Sequence, residues 1–290
     1  MKPLRESSRH APANPWRLPT FSAFGLVAAL NSPFACADPN TLQTNGSGGG
    51  GVYTDQSGSG GGGLIDIYQV GTGLAGQENQ AGTPETAITQ AGGGNTVRIG
   101  QGAEHDGGGW AETGAVQSNQ AAASQDGYSN DAEVYQSGNY NTASVAQSGS
   151  GNTALIYQGG DGNSASVSQS GSAANYAYVN QSGPYPSALT ATQSGSAANS
   201  LYAVQYATGL GVTASIGQNG GGTVNLNQSG SYLSANVSGQ TGGTANLTQS
   251  SFNDSVAIIG QSAYTVTVSQ TTPNQSVTVL HPAMNLRITQ

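Results

Sequence analysis

The sequence predicts an all-β fold, a β-solenoid of stacked strand-turn-strand repeats, on three observations. Gln136, Gln147, Gln158 and Gln169 recur at intervals of 11 residues, and Asn130, Asn141, Asn152 and Asn163 keep the same interval. Between each Asn and the next Gln the chain alternates. Asn141, Ala143, Val145 and Gln147 fall on one face of an extended segment, and Thr142, Ser144 and Ala146 on the other, which is the period of two of a β-strand. Each Gln is then followed by a short run rich in Gly and Ser, such as Ser148-Gly149-Ser150-Gly151, which is turn chemistry. A fixed period built this way belongs to stacked repeat architectures. One unit is a strand and a turn, and two units make one coil of about 22 residues.

A single coil is not stable by itself. Ordering its backbone costs roughly 1–2 kcal/mol per residue, while burying one Val returns about 1.5–3 kcal/mol. Stacking changes the balance, because each coil pairs its backbone with the coils above and below, about 4.8 Å away. Like side chains then align, and a column of Asn or Gln amides, each with donors and an acceptor, bonds to itself along the stack. An inward Gln without a stacked partner would be a buried unsatisfied amide, costing about 1–3 kcal/mol.

Taken in order, residues 1–37 read as a secretory signal. Lys2, Arg5, Arg9 and Arg17 give a basic lead, Phe21 to Leu30 is apolar, and Ala35-Cys36-Ala37 offers a cleavage site before Asp38. The lead is long for a signal, so translation could start at a later residue. The apolar run is too short to span a membrane, and no integral membrane protein is expected. Cys36 is the chain's one cysteine and would leave with the signal. A lipid-modified Cys36 is the alternative, set in the poor context Pro33-Phe34-Ala35. Residues 38–63 contain two glycine runs, Gly48 to Gly51 and Gly60 to Gly63, and read as a flexible segment.

Repeats are expected over 64–290, as roughly nine or ten coils. Anchor glutamines sit at Gln69, Gln80, Gln90 and Gln101. Ala103 to Gln120 is poorer, with Gly107-Gly108-Gly109-Trp110, and one degenerate unit is expected near Gln117. The best units run from Asn130 to Gln169. Beyond them the period loosens through Gln181, Gln193, Gln205, Gln218, Gln228, Gln240, Gln249, Gln261 and Gln270. Extra residues are expected in turns such as Gly183-Pro184-Tyr185-Pro186, where proline cannot harm a ladder. His281 falls in a glutamine slot, and Leu286, Ile288 and Gln290 form a last strand suited to a terminal unit.

Composition excludes several classes. Only 35% of residues are hydrophobic and 7% charged, while 45 are Gly. Polar, weakly charged, Gln/Asn-rich chains are disordered as monomers yet prone to β-assembly. After residue 37 only Arg98 and Arg287 stand against thirteen acids, which argues against nucleic acid as a partner. No catalytic constellation stands out, and no cofactor or metal is expected. Glu104-His105-Asp106 has no second cluster and reads as a solvated loop rather than a metal site. An enzyme built on a β-helix would need clustered acids and bases on one face.

The spacing Gln-x4-Asn-x5-Gln resembles the curlin repeat of bacterial curli fibre subunits. It occurs as Gln90–Asn95–Gln101, Gln125–Asn130–Gln136, Gln136–Asn141–Gln147, Gln147–Asn152–Gln158 and Gln158–Asn163–Gln169. Phrases such as Ile67-Tyr68-Gln69 resemble the major curlin subunit, and Leu286-Arg287-Ile288-Thr289-Gln290 the minor, nucleating one. The resemblance implies a secreted subunit that self-assembles into extracellular amyloid fibres of a biofilm, with further copies, another curlin subunit, and the export pore and its accessory proteins as partners. It also implies that 38–63 directs export. The self-assembly ladder then comprises the residues of those five units with Gln181, Gln193 and Gln205. Asp131, Glu133 and Asp161 are expected to act as gatekeepers, because a stacked row of like charges is costly. The competing expectation is a β-helical surface adhesin that binds a host or matrix ligand without polymerising.

Overall fold

The structure, a computed structural model, describes residues 41–45, 51–55, 64–72, 75–80, 82–101, 103–105, 110–112, 116–220, 222–241, 243–262, 265–280 and 286–290. The signal read over 1–37 and His281 lie outside them.

The chain runs through β1 (Thr41–Asn45), β2 (Gly51–Asp55), β3 (Leu64–Thr72), β4 (Ala75–Gln80), β5 (Gly82–Gly93) and β6 (Thr96–Gln101). A short hairpin, β7 (Ala103–His105) and β8 (Trp110–Glu112), comes next. It is followed by β9 (Val116–Tyr128), β10 (Asp131–Gln136), β11 (Thr142–Ser150), β12 (Thr153–Gln158), β13 (Ser164–Gln169) and β14 (Tyr176–Ser182). The remainder is β15 (Ser187–Ser194), β16 (Ser200–Ala207), β17 (Val212–Asn219), β18 (Thr223–Gly230) and β19 (Ser234–Thr241). The last five are β20 (Thr244–Gln249), β21 (Ser255–Ser262), β22 (Thr265–Gln270), β23 (Ser276–Val279) and β24 (Leu286–Thr289).

Outside the hairpin, successive strands alternate between two parallel sheets of 11 strands each. One sheet is ordered β1-β3-β5-β9 and then by odd-numbered strands to β23; the other is β2-β4-β6-β10 and then by even-numbered strands to β24. The chain is therefore a parallel β-solenoid, one strand per sheet in each coil. From Leu64 on, each sheet holds ten strands, in line with the period.

The alternation read from sequence sets which face is buried. In β12, Ala154, Ile156 and Gln158 are buried while Thr153, Leu155 and Tyr157 are half-buried outside. The same inward triplet of Ala, β-branched or Leu residue, and Gln recurs through β10, β11 and β13. Inward side chains of the two sheets meet in one continuous apolar core running from Ile88 to Val277. A parallel sheet stacks like on like, so Ala154 lies between Ala132 and Ala177, and Ile156 between Val134 and Val179.

Three features depart from the simple period. Residues 38–63, expected as a flexible segment, contribute β1 and β2, which pair with β3 and β4. Their alternation (Leu42 with Thr44, Val52 with Thr54) fits a strand. Among the described residues no coil forms around Gln117, contrary to expectation. The span after Gln101 is taken up by the antiparallel β7–β8 hairpin, and Gln117 pairs with Thr83 on the leading part of β9. Beyond Gln169 the extra residues fall largely in turns. The sheet absorbs one as a bulge between Ile216 and Gln218, which keeps Gln218 opposite Gln240.

Candidate functional site

The most organised polar feature is internal. Every ladder residue expected from sequence, from Gln90 to Gln205, is at most 3% exposed, and the coils bring these residues into columns. In the odd-numbered sheet, Gln90 Nε2 donates to Gln125 Oε1 at 2.8 Å, and the chain of bonds continues through Gln147, Gln169, Gln193 and Gln218. In the even-numbered sheet the column starts at Gln101, passes Gln136, Gln158, Gln181 and Gln205, and continues to Gln228, Gln249, Gln270 and Gln290.

A primary amide has two N–H groups, and the second is also satisfied. Gln147 Nε2 donates to the Asp131 carbonyl at 2.9 Å, Gln158 Nε2 to the Thr142 carbonyl at 3.0 Å, and Gln169 Nε2 to the Thr153 carbonyl at 2.9 Å. Each of these carbonyls opens a strand of the opposite sheet. The glutamines thus tie coil to coil along the axis and sheet to sheet across it.

Two asparagine columns flank the strands. Asn95, Asn130, Asn152, Asn175 and Asn199 form one; Asn119, Asn141 and Asn163 form the other, which Ser187 continues. Each Oδ1 except that of Asn199 accepts the backbone N–H of the residue one coil later, and in Asn152, Asn163, Asn175 and Asn199 the amide Nδ2 also donates to the preceding rung. The remaining N–H turns back to close the turn, as from Asn152 Nδ2 to the Ser148 carbonyl at 2.9 Å. Glutamine amides donate toward later coils; Asn152, Asn163, Asn175 and Asn199 donate toward the earlier rung, whereas Asn130 and Asn141 donate to the Gly149 and Gly160 carbonyls one coil later.

Asn119, Asn175 and Asn199 escaped the sequence reading. Each stands six residues before an anchor glutamine, as Asn130 does before Gln136. A rule keyed on that half of the motif finds them, whereas the full Gln-x4-Asn-x5-Gln spacing fails because the preceding turns vary in length.

Among the described residues two buried polar side-chain atoms lack a partner, Asn199 Oδ1 and Asp254 Oδ2. Both mark ladder ends. The slot after Asn199 is Gly222, which has no amide to offer. Asp254 occupies an asparagine slot, opposite Leu233, and its Oδ1 accepts the Gln275 N–H at 3.0 Å as an asparagine would. Its Oδ2 stands where the other rungs carry a donor. Asp254→Asn is therefore expected to raise stability by about 1–3 kcal/mol, read as a higher thermal midpoint; a lower midpoint would show that the carboxylate is itself required.

The outer face carries Arg98, Asp131, Glu133 and Asp161. Arg98 meets Asp131 at 3.2 Å and Glu133 at 3.7 Å, and such a partly exposed cluster is worth about 0–1 kcal/mol per pair. Asp161 Oδ1 accepts the Asn139 backbone N–H at 2.7 Å, bracing one turn against the next. Tyr157 donates to Glu133 Oε1 at 3.1 Å. Burial, then the Glu133 charge and hydrogen bond, push its phenol well above the ordinary value of 10.0. Because its folded pKa lies above the unfolded one, the phenol adds stability that is complete below pH 10 and fades as pH rises through the folded value. Thermal midpoints are expected to fall with pH above about 10, less steeply in Tyr157→Phe. Tyr176, raised by burial and then by Tyr178 and Tyr202, keeps part of the slope.

Glu104 and His105 sit on the hairpin strand β7, while Asp106 lies outside the described residues. Among the described residues no three metal-ligating side chains cluster, and no helix is long and apolar enough to cross a membrane.

Two stacked parallel sheets, filled by small apolar residues and stitched by amide columns, define a structural repeat protein. Residues 117–149 and 138–171, spanning β9 to β13, match the family described as the curlin associated repeat. The chain thus carries curlin-type repeats over 117–171. No curated protein matches it.

Proposed function

We propose that this chain is a secreted structural subunit that polymerises into extracellular amyloid fibres of a biofilm matrix, each copy continuing the sheets and amide columns of the one before. The observation that carries the reading is the nine-residue glutamine column from Gln101 to Gln290. Its rungs are alike, so the bond joining two coils of one chain can equally join coils of two chains. Among the described residues, β1, β2, β23 and β24 each pair on one side only within the two sheets, and an unpaired parallel edge is a template for another strand. On this proposal residues 1–37 are removed as a signal, 38–63 direct export through a dedicated outer-membrane pore, and a second curlin subunit joins the fibre.

Thioflavin T fluorescence of residues 38–290 at neutral pH, followed by fibre diffraction, tests it. A lag shortened by seeds, with reflections near about 4.7 and about 10 Å, is expected. A β-rich monomer that stays soluble for days would sink the proposal and favour the adhesin. Asp131 and Asp161 act as gatekeepers in this scheme, so Asp131→Asn and Asp161→Asn are expected to shorten the lag. The second change keeps the Oδ1 acceptor for Asn139, which separates loss of charge from loss of the turn contact. An unchanged lag in both would remove the gatekeeper role.

A further inference from the structure

Four tyrosines on successive even-numbered strands form a row on the outer face. Ring centroids are 6.1 Å apart for Tyr135 and Tyr157, 5.6 Å for Tyr157 and Tyr178, and 4.7 Å for Tyr178 and Tyr202. The planes close from 51° to 37° to 6° along the row. Register alone does not set the gradient, since Tyr135 and Tyr157 are also register partners, on β10 and β12. Tyr178 and Tyr202 are register partners on β14 and β16, so their side chains leave adjacent strands side by side. Tyr157 faces Asn180 instead, and it reaches Tyr178 along a diagonal. Tyr202 is 47% exposed, so solutes reach the stacked pair directly.

The geometry points to Tyr178 and Tyr202 as a site of oxidative modification, a dityrosine cross-link that staples two successive coils in the presence of a one-electron phenol oxidant. Each phenol gives one electron to the oxidant and one proton to solvent. The two phenoxyl radicals couple through a bond between one ortho ring carbon of Tyr178 and one of Tyr202. The two ortho protons then shift to the phenol oxygens and restore both aromatic rings. The product has lost two hydrogens in all. With a haem peroxidase as oxidant, one hydrogen peroxide takes up the two electrons and two protons and leaves as two waters.

Proximity decides the outcome. Radical coupling needs two phenoxyls in contact, and a preformed stack supplies the second ring at an effective concentration that solution encounters do not match. Exposure without a partner does not suffice. Tyr128, Tyr140 and Tyr185 are 65%, 60% and 42% exposed, yet none has an aromatic ring stacked on it among the described contacts. Tyr232 is 52% exposed, but its neighbour is Phe252, edge-on at 5.3 Å, which cannot form dityrosine. The link would close the 24-position interval from Tyr178 to Tyr202 across a single rung of the stack.

The test uses the full chain at low concentration with peroxidase and hydrogen peroxide, followed by pepsin fragmentation and mass spectrometry. A mixture of nitrogen-15-labelled and unlabelled protein distinguishes links within a chain from links between chains. The expected result is one dominant cross-linked fragment pair, joining Tyr178 to Tyr202 within one isotopic species and losing two hydrogens. Tyr202→Phe and Tyr178→Phe each abolish it, and oxidation in denaturant disperses it. The inference is overturned if dityrosine in the folded chain is spread over Tyr128, Tyr140 and Tyr185 according to exposure. It is equally overturned if the links are of mixed isotopic composition, or if either Phe variant keeps the parent yield.

Discussion

Gln158→Ala is expected to be among the most damaging single changes in the chain, lowering stability by about 3–6 kcal/mol. Three hydrogen bonds end on this side chain: one from Gln136 Nε2, one to Gln181 Oε1 and one to the Thr142 carbonyl. Truncation strands a donor, an acceptor and a backbone carbonyl in a site that is 0% exposed, and it leaves a void between the sheets. Each stranded group costs about 1–3 kcal/mol. The position along the column makes a built-in comparison. Gln290→Ala removes an exposed rung held by one longer bond of 3.3 Å, and a loss of under about 1 kcal/mol is expected. Hydrogen exchange read strand by strand is the right measurement, since coils of a solenoid open locally. Faster exchange confined to β10, β12 and β14 in Gln158→Ala is the expected pattern. Equal effects of the two substitutions would mean that the column is not what holds the coils in register.

Gly149→Ala is expected to cost about 3 kcal/mol or more. The residue has φ of +96°, a conformation that side chains avoid, and an added Cβ would run into the carbonyl oxygen of Gly171 one coil later. Gly171 in turn sits against Gly195, so a shift of the turn is blocked by backbone rather than by a flexible side chain. Gly239 separates the two causes. Its φ is +57°, but nothing lies within 4 Å of an added Cβ. Gly239→Ala should therefore show the conformational cost without the collision, about 1 kcal/mol. Thermal midpoints of the two variants measure the difference, and similar midpoints would place the whole cost in local conformation.

Most of this architecture was legible because a solenoid converts sequence distance directly into spatial contact. Gln125, Gln147 and Gln169 are 22 residues apart, and they bond to one another. The inward set was equally plain, since Ala143, Val145 and Gln147 alternate with Thr142, Ser144 and Ala146. Legibility failed where the chain leaves the coil. Between Gln101 and Gln125 there is room for one repeat, and length could not distinguish it from the β7–β8 hairpin. The content of the segment (three consecutive glycines with charged flanks) was the better guide. The tyrosine row was hidden for a different reason. Tyr157 and Tyr178 belong to different columns, so their contact depends on side-chain direction across the sheet, which a period does not encode. Asp254 stands where Gln-x4-Asn counted from Gln249 would place an asparagine, but it carries a carboxylate in place of the amide and lies seven residues, not six, before Gln261.

The opposed directions of the glutamine and asparagine bonds bear on how long such a stack can grow. Peptide-like amides aligned head to tail add their dipoles, and in an α-helix the sum amounts to about half a charge at each end. Two glutamine columns pointing one way would charge the tips of the solenoid in the same manner. In Asn152, Asn163, Asn175 and Asn199 the amides point the other way along the same axis, so part of the sum cancels over that stretch. The end charge of aligned amides does not grow with their number, and this partial compensation lowers it further. A twelfth coil, or a hundredth, is added against the same potential as the second.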